Sequence, residues 1–103
     1  MFKVTKPAAR EIRRSADAAD MDELALRIAA QRGDDGGIEY RMGFDEVGIE
    51  DTLVNSAGVD VVIGKDDKEL LNGATLDYVE IEPSRFSFIF LNPNDPHFEP
   101  PQE

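Results

Sequence analysis

Gly33-Asp34-Asp35-Gly36-Gly37-Ile38-Glu39-Tyr40-Arg41-Met42-Gly43-Phe44 joins a glycine-rich turn carrying paired carboxylates to an alternating run, and its reading decides the fold. Ile38, Tyr40, Met42 and Phe44 fall at every second position, so they share one face of a strand. The glycines of the turn admit positive φ without a Cβ penalty, which lets it fold tightly and hold Asp34 and Asp35 at the mouth of that strand. A functional site is expected there.

Immediately upstream, residues 23–32 are ambiguous. Leu24, Ala25, Leu26, Ile28, Ala29 and Ala30 have high helix propensity, yet Leu24, Leu26, Ile28 and Ala30 alternate as a strand would. Propensity alone selects helix. Further back, Thr5 to about Ala19 reads as a helix, with Thr5 as its cap, Pro7 in its first turn and Ala8, Ile12, Ala16 and Ala19 as a narrow apolar stripe. Asp20-Met21-Asp22 breaks that pattern.

Downstream, the acidic run 45–51 reads as a surface loop. Short strands follow near Thr52–Asn55 and Val59–Ile63, with a turn at Ser56–Gly58 between them. One helical turn ends at Leu71, closed by Asn72-Gly73 in a left-handed cap. Thr75–Glu82 and Phe86–Leu91 are the last strands, separated by Pro83-Ser84. In the final one, Phe86, Phe88 and Phe90 alternate with Ser87, Ile89 and Leu91, so the strand is apolar on both sides and is expected to lie centrally in its sheet, with the aromatics in the core. From Asn92 onward four prolines favour an extended, poorly ordered tail.

Composition bounds the rest. At 103 residues the chain is one domain that buries about 60–68% of the surface its unfolded form exposes. With no cysteine there is no disulfide, zinc-thiolate site or thiol nucleophile. No apolar run of membrane-spanning length and no signal-peptide pattern is present, so a cytoplasmic protein without a membrane partner is expected. Lys3, Lys6, Arg10, Arg13 and Arg14 against Glu11 put +4 on residues 1–16, leaving −15 on the remainder of a chain whose net charge is −11. Such a body repels phosphate backbones, which argues against nucleic acid as a partner.

Four segments in order resemble the A-type iron–sulfur carrier family, the HesB-like domain. Asp34-Asp35-Gly36-Gly37-Ile38-Glu39-Tyr40 stands where that family has Gly-Cys-Ser-Gly and a strand tyrosine. Gly58-Val59-Asp60-Val61-Val62-Ile63 and Leu71-Asn72-Gly73-Ala74-Thr75-Leu76-Asp77-Tyr78-Val79 match its central segments, and Phe88-Ile89-Phe90-Leu91-Asn92-Pro93-Asn94 matches the run before its closing Cys-Gly-Cys. The resemblance implies a mainly β (α+β) fold, a small β-sandwich or pseudo-barrel of about seven short strands with an N-terminal helix. It covers about Val4 to Asn94, so the HesB-like domain is set at 1–94, and the prolines make 95–103 a proline-rich flexible tail. It also tips residues 23–32 to strand, in a hairpin closed around Asp34 and Asp35.

By the same resemblance the ligand cysteines fall on Asp35, Glu99 and Pro101. Iron–sulfur clusters are held by soft thiolates, whereas carboxylates are hard ligands and proline is none. A family-type cluster is therefore not expected, and the implied role is contact with iron–sulfur assembly proteins or recipient apoproteins, with homo-oligomerisation. The alternative is a hard-metal or small-ligand module in which Asp34, Asp35, His97 and Glu99 take Fe or Mn through oxygen-rich coordination. As ordinary structure, paired aspartates in a glycine turn satisfy backbone N–H groups, and a histidine in a proline tail is solvated. No catalytic residue is expected: Asp34 and Asp35 are adjacent rather than set across a cleft, and no serine has a triad context.

Overall fold

Alternation along 24–30 prevails over helix propensity. In the computed structural model, which describes residues 1–96, the elements run β1 (Lys3–Val4), α1 (Lys6–Ala18), β2 (Ala25–Arg32), β3 (Ile38–Asp45), β4 (Thr52–Ser56), β5 (Val59–Ile63), α2 (Lys68–Leu71), β6 (Thr75–Glu82) and β7 (Arg85–Leu91). Leu26, Ile28 and Ala30 of β2 are buried on one face and oppose Phe44, Met42 and Tyr40 of β3. A helix over the same residues would scatter those apolar groups around its circumference; the strand gathers them on one side.

The seven strands form two sheets, β1-β6-β7 and β3-β2-β5-β4. The hairpins β2–β3, β4–β5 and β6–β7 are antiparallel, while β1 runs parallel to β6 and β2 parallel to β5. Ile28, Val61, Leu71 and Leu76 are fully buried in the shared core. Helix α1 adds Ala8, Ala9 and Ile12 to that core. The small alanines let the helix backbone lie close to the sheet. Thr5 caps α1 by accepting from Ala8 N, and Pro7 occupies its first turn. Ala19, expected in the buried stripe, is instead the exposed C-cap, and Ala9 takes a buried place.

Strand β7 is not central. It lies at an edge with β6 as its neighbour, and Phe86 is 55% exposed. Its two apolar faces come from half-burial on both sides rather than from flanking strands. Phe88 and Phe90 pack against the core as expected, but Phe86 does not. The seventh strand is β1, two residues long and too short to carry a pattern of its own.

The acidic connection between β3 and β4 is held down. Arg27 Nε donates to Asp45 Oδ2 at 2.7 Å, while Nη1 and Nη2 donate to Asp51 Oδ1 and Oδ2 at 3.0 and 2.6 Å. Asp51 Oδ2 also accepts from Gly48 N at 2.6 Å. Two-pronged pairing of this kind fixes orientation as well as distance. By register Arg27 shares a face with Val62, which is fully buried although it stands apart from the main core cluster.

Candidate functional site

Strands β2 and β3 pair from Ala25↔Asp45 to Arg32↔Ile38, so the two aspartates lie on the five residues that close the hairpin. Gly33 N donates to Gly37 O at 2.7 Å, and Gly36 N to Gly33 O at 3.0 Å. Gly36 takes φ +84°, where a Cβ would meet no atom within 4 Å, so backbone strain rather than crowding is what selects glycine there. Arg32 Nη1 donates to Gly36 O at 2.9 Å from the strand end.

Within this frame Asp35 Oδ1 accepts from Gly37 N at 2.9 Å. The carboxylate thus acts as an Asx-type brace across the turn. Asp34 and Asp35 are both exposed. Among the described residues no group of three or more His, Cys, Asp or Glu side chains is arranged to hold a metal ion. His97 and Glu99, the other two expected members of the site, lie outside the described residues.

A buried polar node that the sequence reading did not single out leads from this hairpin to the tail. Asn92 is 1% exposed; its Nδ2 donates to Leu70 O at 2.7 Å and to Tyr40 Oη at 3.1 Å, and its Oδ1 accepts from Asn94 N at 3.0 Å. Asn94 Nδ2 donates in turn to Leu70 O and Asn72 O at 3.1 and 2.8 Å. The Tyr40 ring stacks on Phe90 with centroids 4.0 Å apart and planes 3° from parallel. Burial pushes the Tyr40 phenol above its ordinary pKa, partly offset by the Asn92 bond and reinforced by the charge of Asp95. The Asn-Pro-Asn run therefore seats the start of the tail beside α2 and the strand that leaves the aspartate turn. The signal for it in the sequence was an amide pair in a short apolar-flanked motif, which alone does not name its partners.

The chain has known relatives. The model of a family described as iron–sulphur cluster biosynthesis matches residues 1–95. The chain belongs to that family. A protein of Aquifex aeolicus is 38% identical over 95 residues, spanning 91% of this chain and 81% of its own length. The iron–sulfur cluster insertion protein ErpA of Pseudomonas fluorescens is 37% identical over 95 residues, spanning 90% of this chain and 80% of its own. Among solved structures, that of IscA with a [2Fe–2S] cluster superposes with a TM-score of 0.77 at 29% identity, over 90% of this chain and 86% of the other. Escherichia coli SufA, at 22% identity and TM-score 0.72 over 89% and 80% of the two chains, shares the fold.

The expected mainly β architecture with an N-terminal helix is thus the architecture of the family. The residues at the turn are not thiolate ligands. A thiolate set requires cysteine, and the chain has none. What Asp34 and Asp35 offer is hard oxygen, and one of those oxygens already serves the backbone. Among the described residues no helix is long and apolar enough to cross a membrane.

Proposed function

We propose that this member of the iron–sulphur cluster biosynthesis family acts by protein contact, without carrying a cluster on thiolates. The observation that supports this reading is the state of the ligand turn: the fold and the hairpin are kept, the chain contains no cysteine, and Asp35 braces Gly37 N at 2.9 Å. The partners are assembly proteins or recipient apoproteins, and the role is non-enzymatic. Homo-oligomerisation belongs to the same reading, because β7, β3 and β4 lie at sheet edges and present unpaired backbone to a second chain.

Anaerobic reconstitution with iron and sulfide tests it, followed by desalting, absorption spectroscopy and metal analysis, with Mn and Mg as controls. Neither iron nor sulfide is expected to remain. Stoichiometric iron and sulfide with charge-transfer bands would refute the proposal. Metal retained without sulfide, and lost in Asp35→Ala, would favour the carboxylate site of Asp34, Asp35, His97 and Glu99 instead.

A further inference from the structure

Helix α1 and the β6–β7 hairpin leave an open groove of about 270 Å³ between them, lined by Pro7, Arg10, Glu11, Arg14, Tyr78 and Phe86. Its floor is aromatic. Tyr78 contacts Phe86 in an offset stack with centroids 5.7 Å apart and Phe88 in a tilted one at 4.8 Å. Phe86 remains 55% exposed despite that contact. An exposed ring fixed by a neighbouring ring offers apolar area at little further ordering cost, which is the property that makes aromatics binding anchors.

The wall is basic, in a chain whose net charge is −11. Arg14 is engaged by Glu11 in a two-pronged pair, whereas Arg10 is exposed and has no hydrogen bond or ion pair among the described residues. Pro7, Arg10, Glu11 and Arg14 recur at helical spacing, so they line one side of α1. Glu80, opposite Phe86 across the hairpin, is turned to the Ser84 N–H at 2.9 Å. Screening at physiological salt confines the field of the distant acidic body to about 8 Å, so the groove's own cations set what binds at contact.

We infer that this groove docks an acidic peptide segment of a partner protein, one that places an apolar side chain against Phe86 and Tyr78 and carboxylates against Arg10 and Arg14. The inference rests on the protein-contact reading above and gives that contact a surface. A second copy of the chain, in the reading above, pairs at the edges of β3, β4 and β7 rather than in this groove. Nucleic acid would lay phosphates well beyond the groove, along a body of net charge −11.

The test is amide and arginine side-chain NMR of the labelled chain, titrated to millimolar with a synthetic peptide of Asp and Glu residues around one Phe. A control peptide carries Lys in place of each carboxylate. Shifts are expected over α1 and the start of β7, including the Arg10 Nε resonance, with the control at least about tenfold weaker. Arg10→Glu and Phe86→Ser are each expected to weaken binding about tenfold while leaving the remaining spectrum dispersed. Both positions are exposed, and Arg10→Ala serves as a milder second variant should either fold poorly. Equal binding of the control, binding that survives these substitutions, shifts centred on the aspartate turn, or no shift at all would overturn the inference. Cluster uptake on reconstitution would overturn the protein-contact reading and leave the groove's peptide binding unaffected, so the two failures are distinguishable.

Discussion

Replacing Asn92 by Ala should be among the most damaging single polar changes in this chain. The side chain is 1% exposed and makes four bonds: to Leu70 O at 2.7 Å, to Tyr40 Oη at 3.1 Å, and from Asn94 N and Asn94 Nδ2, both at 3.0 Å. At about 1 kcal/mol net for each bond, with a further cost for the stranded Tyr40 hydroxyl, Asn92→Ala should destabilise by roughly 2–4 kcal/mol. For a domain of this size that lowers Tm by roughly 10–25 °C. Urea unfolding followed by circular dichroism measures it, with the m-value expected to stay constant. Tyr40→Phe removes one of the four bonds and keeps the 4.0 Å stack on Phe90, so it should cost about 1 kcal/mol. The double variant should then cost less than the sum of the two single changes, because both remove the same bond. A loss under about 1 kcal/mol for Asn92→Ala would refute the node as a determinant of stability.

Asp51 is held down to a pKa of about 2 from its ordinary 3.8, first by its hydrogen bonds from Arg27 and then by Gly48 N–H. Its stabilisation is therefore complete above about pH 4 and lost as pH falls through about 2, so urea midpoints for the wild type and Asp51→Asn should differ at pH 7 and converge near pH 2. Ala57 and Gly58, at φ 53° and 82°, form the two-residue β4–β5 turn, and Ala57→Asn should stabilise by about 0.5–1 kcal/mol in the same assay because Asn tolerates positive φ better than Ala. Asp35→Ala should cost about 1 kcal/mol by freeing Gly37 N while leaving retained metal unchanged. Asp35→Cys alone should not retain iron and sulfide on reconstitution, whereas the combination with Glu99→Cys and Pro101→Cys should, since one thiolate is too few to hold a cluster.

The parts of the fold that were legible are those where one physical signal dominates. The period-two spacing of 38–44 locates β3, and Asn72-Gly73 anticipates the positive φ of Gly73 at the end of α2. Residues 23–32 were not decided by their own pattern, because helix propensity and alternation oppose each other; the pairing of Leu26 with Phe44 and Val61, a non-local fact, decides them. The order of strands in a sheet is equally non-local. Phe86–Leu91 reads as a central strand because it is apolar on both faces, yet a half-covered edge strand at a groove has the same composition. The Arg27 clamp escaped notice for a related reason. Its partners Asp45 and Asp51 lie 18 and 24 residues away, in a run that reads simply as acidic loop.

The aspartate turn also shows how the family fold is kept in a chain with no cysteine. The turn is closed by backbone bonds between Gly33, Gly36 and Gly37, and its conformation is set by a glycine φ rather than by the side chain at position 35. The strands it joins are held in register by Leu26, Ile28 and Ala30 against Phe44, Met42 and Tyr40, which share one face of the hairpin. The start of the tail is seated by Asn92 and Asn94 on Leu70, Asn72 and Tyr40. Most of the structure around the turn is thus held by backbone bonds, core side chains and the Asn92–Asn94 pair, with Asp35 adding one brace to Gly37 N. A carboxylate at position 35 satisfies the turn through Gly37 N, and membership of the family fixes the fold of this chain without fixing what it carries.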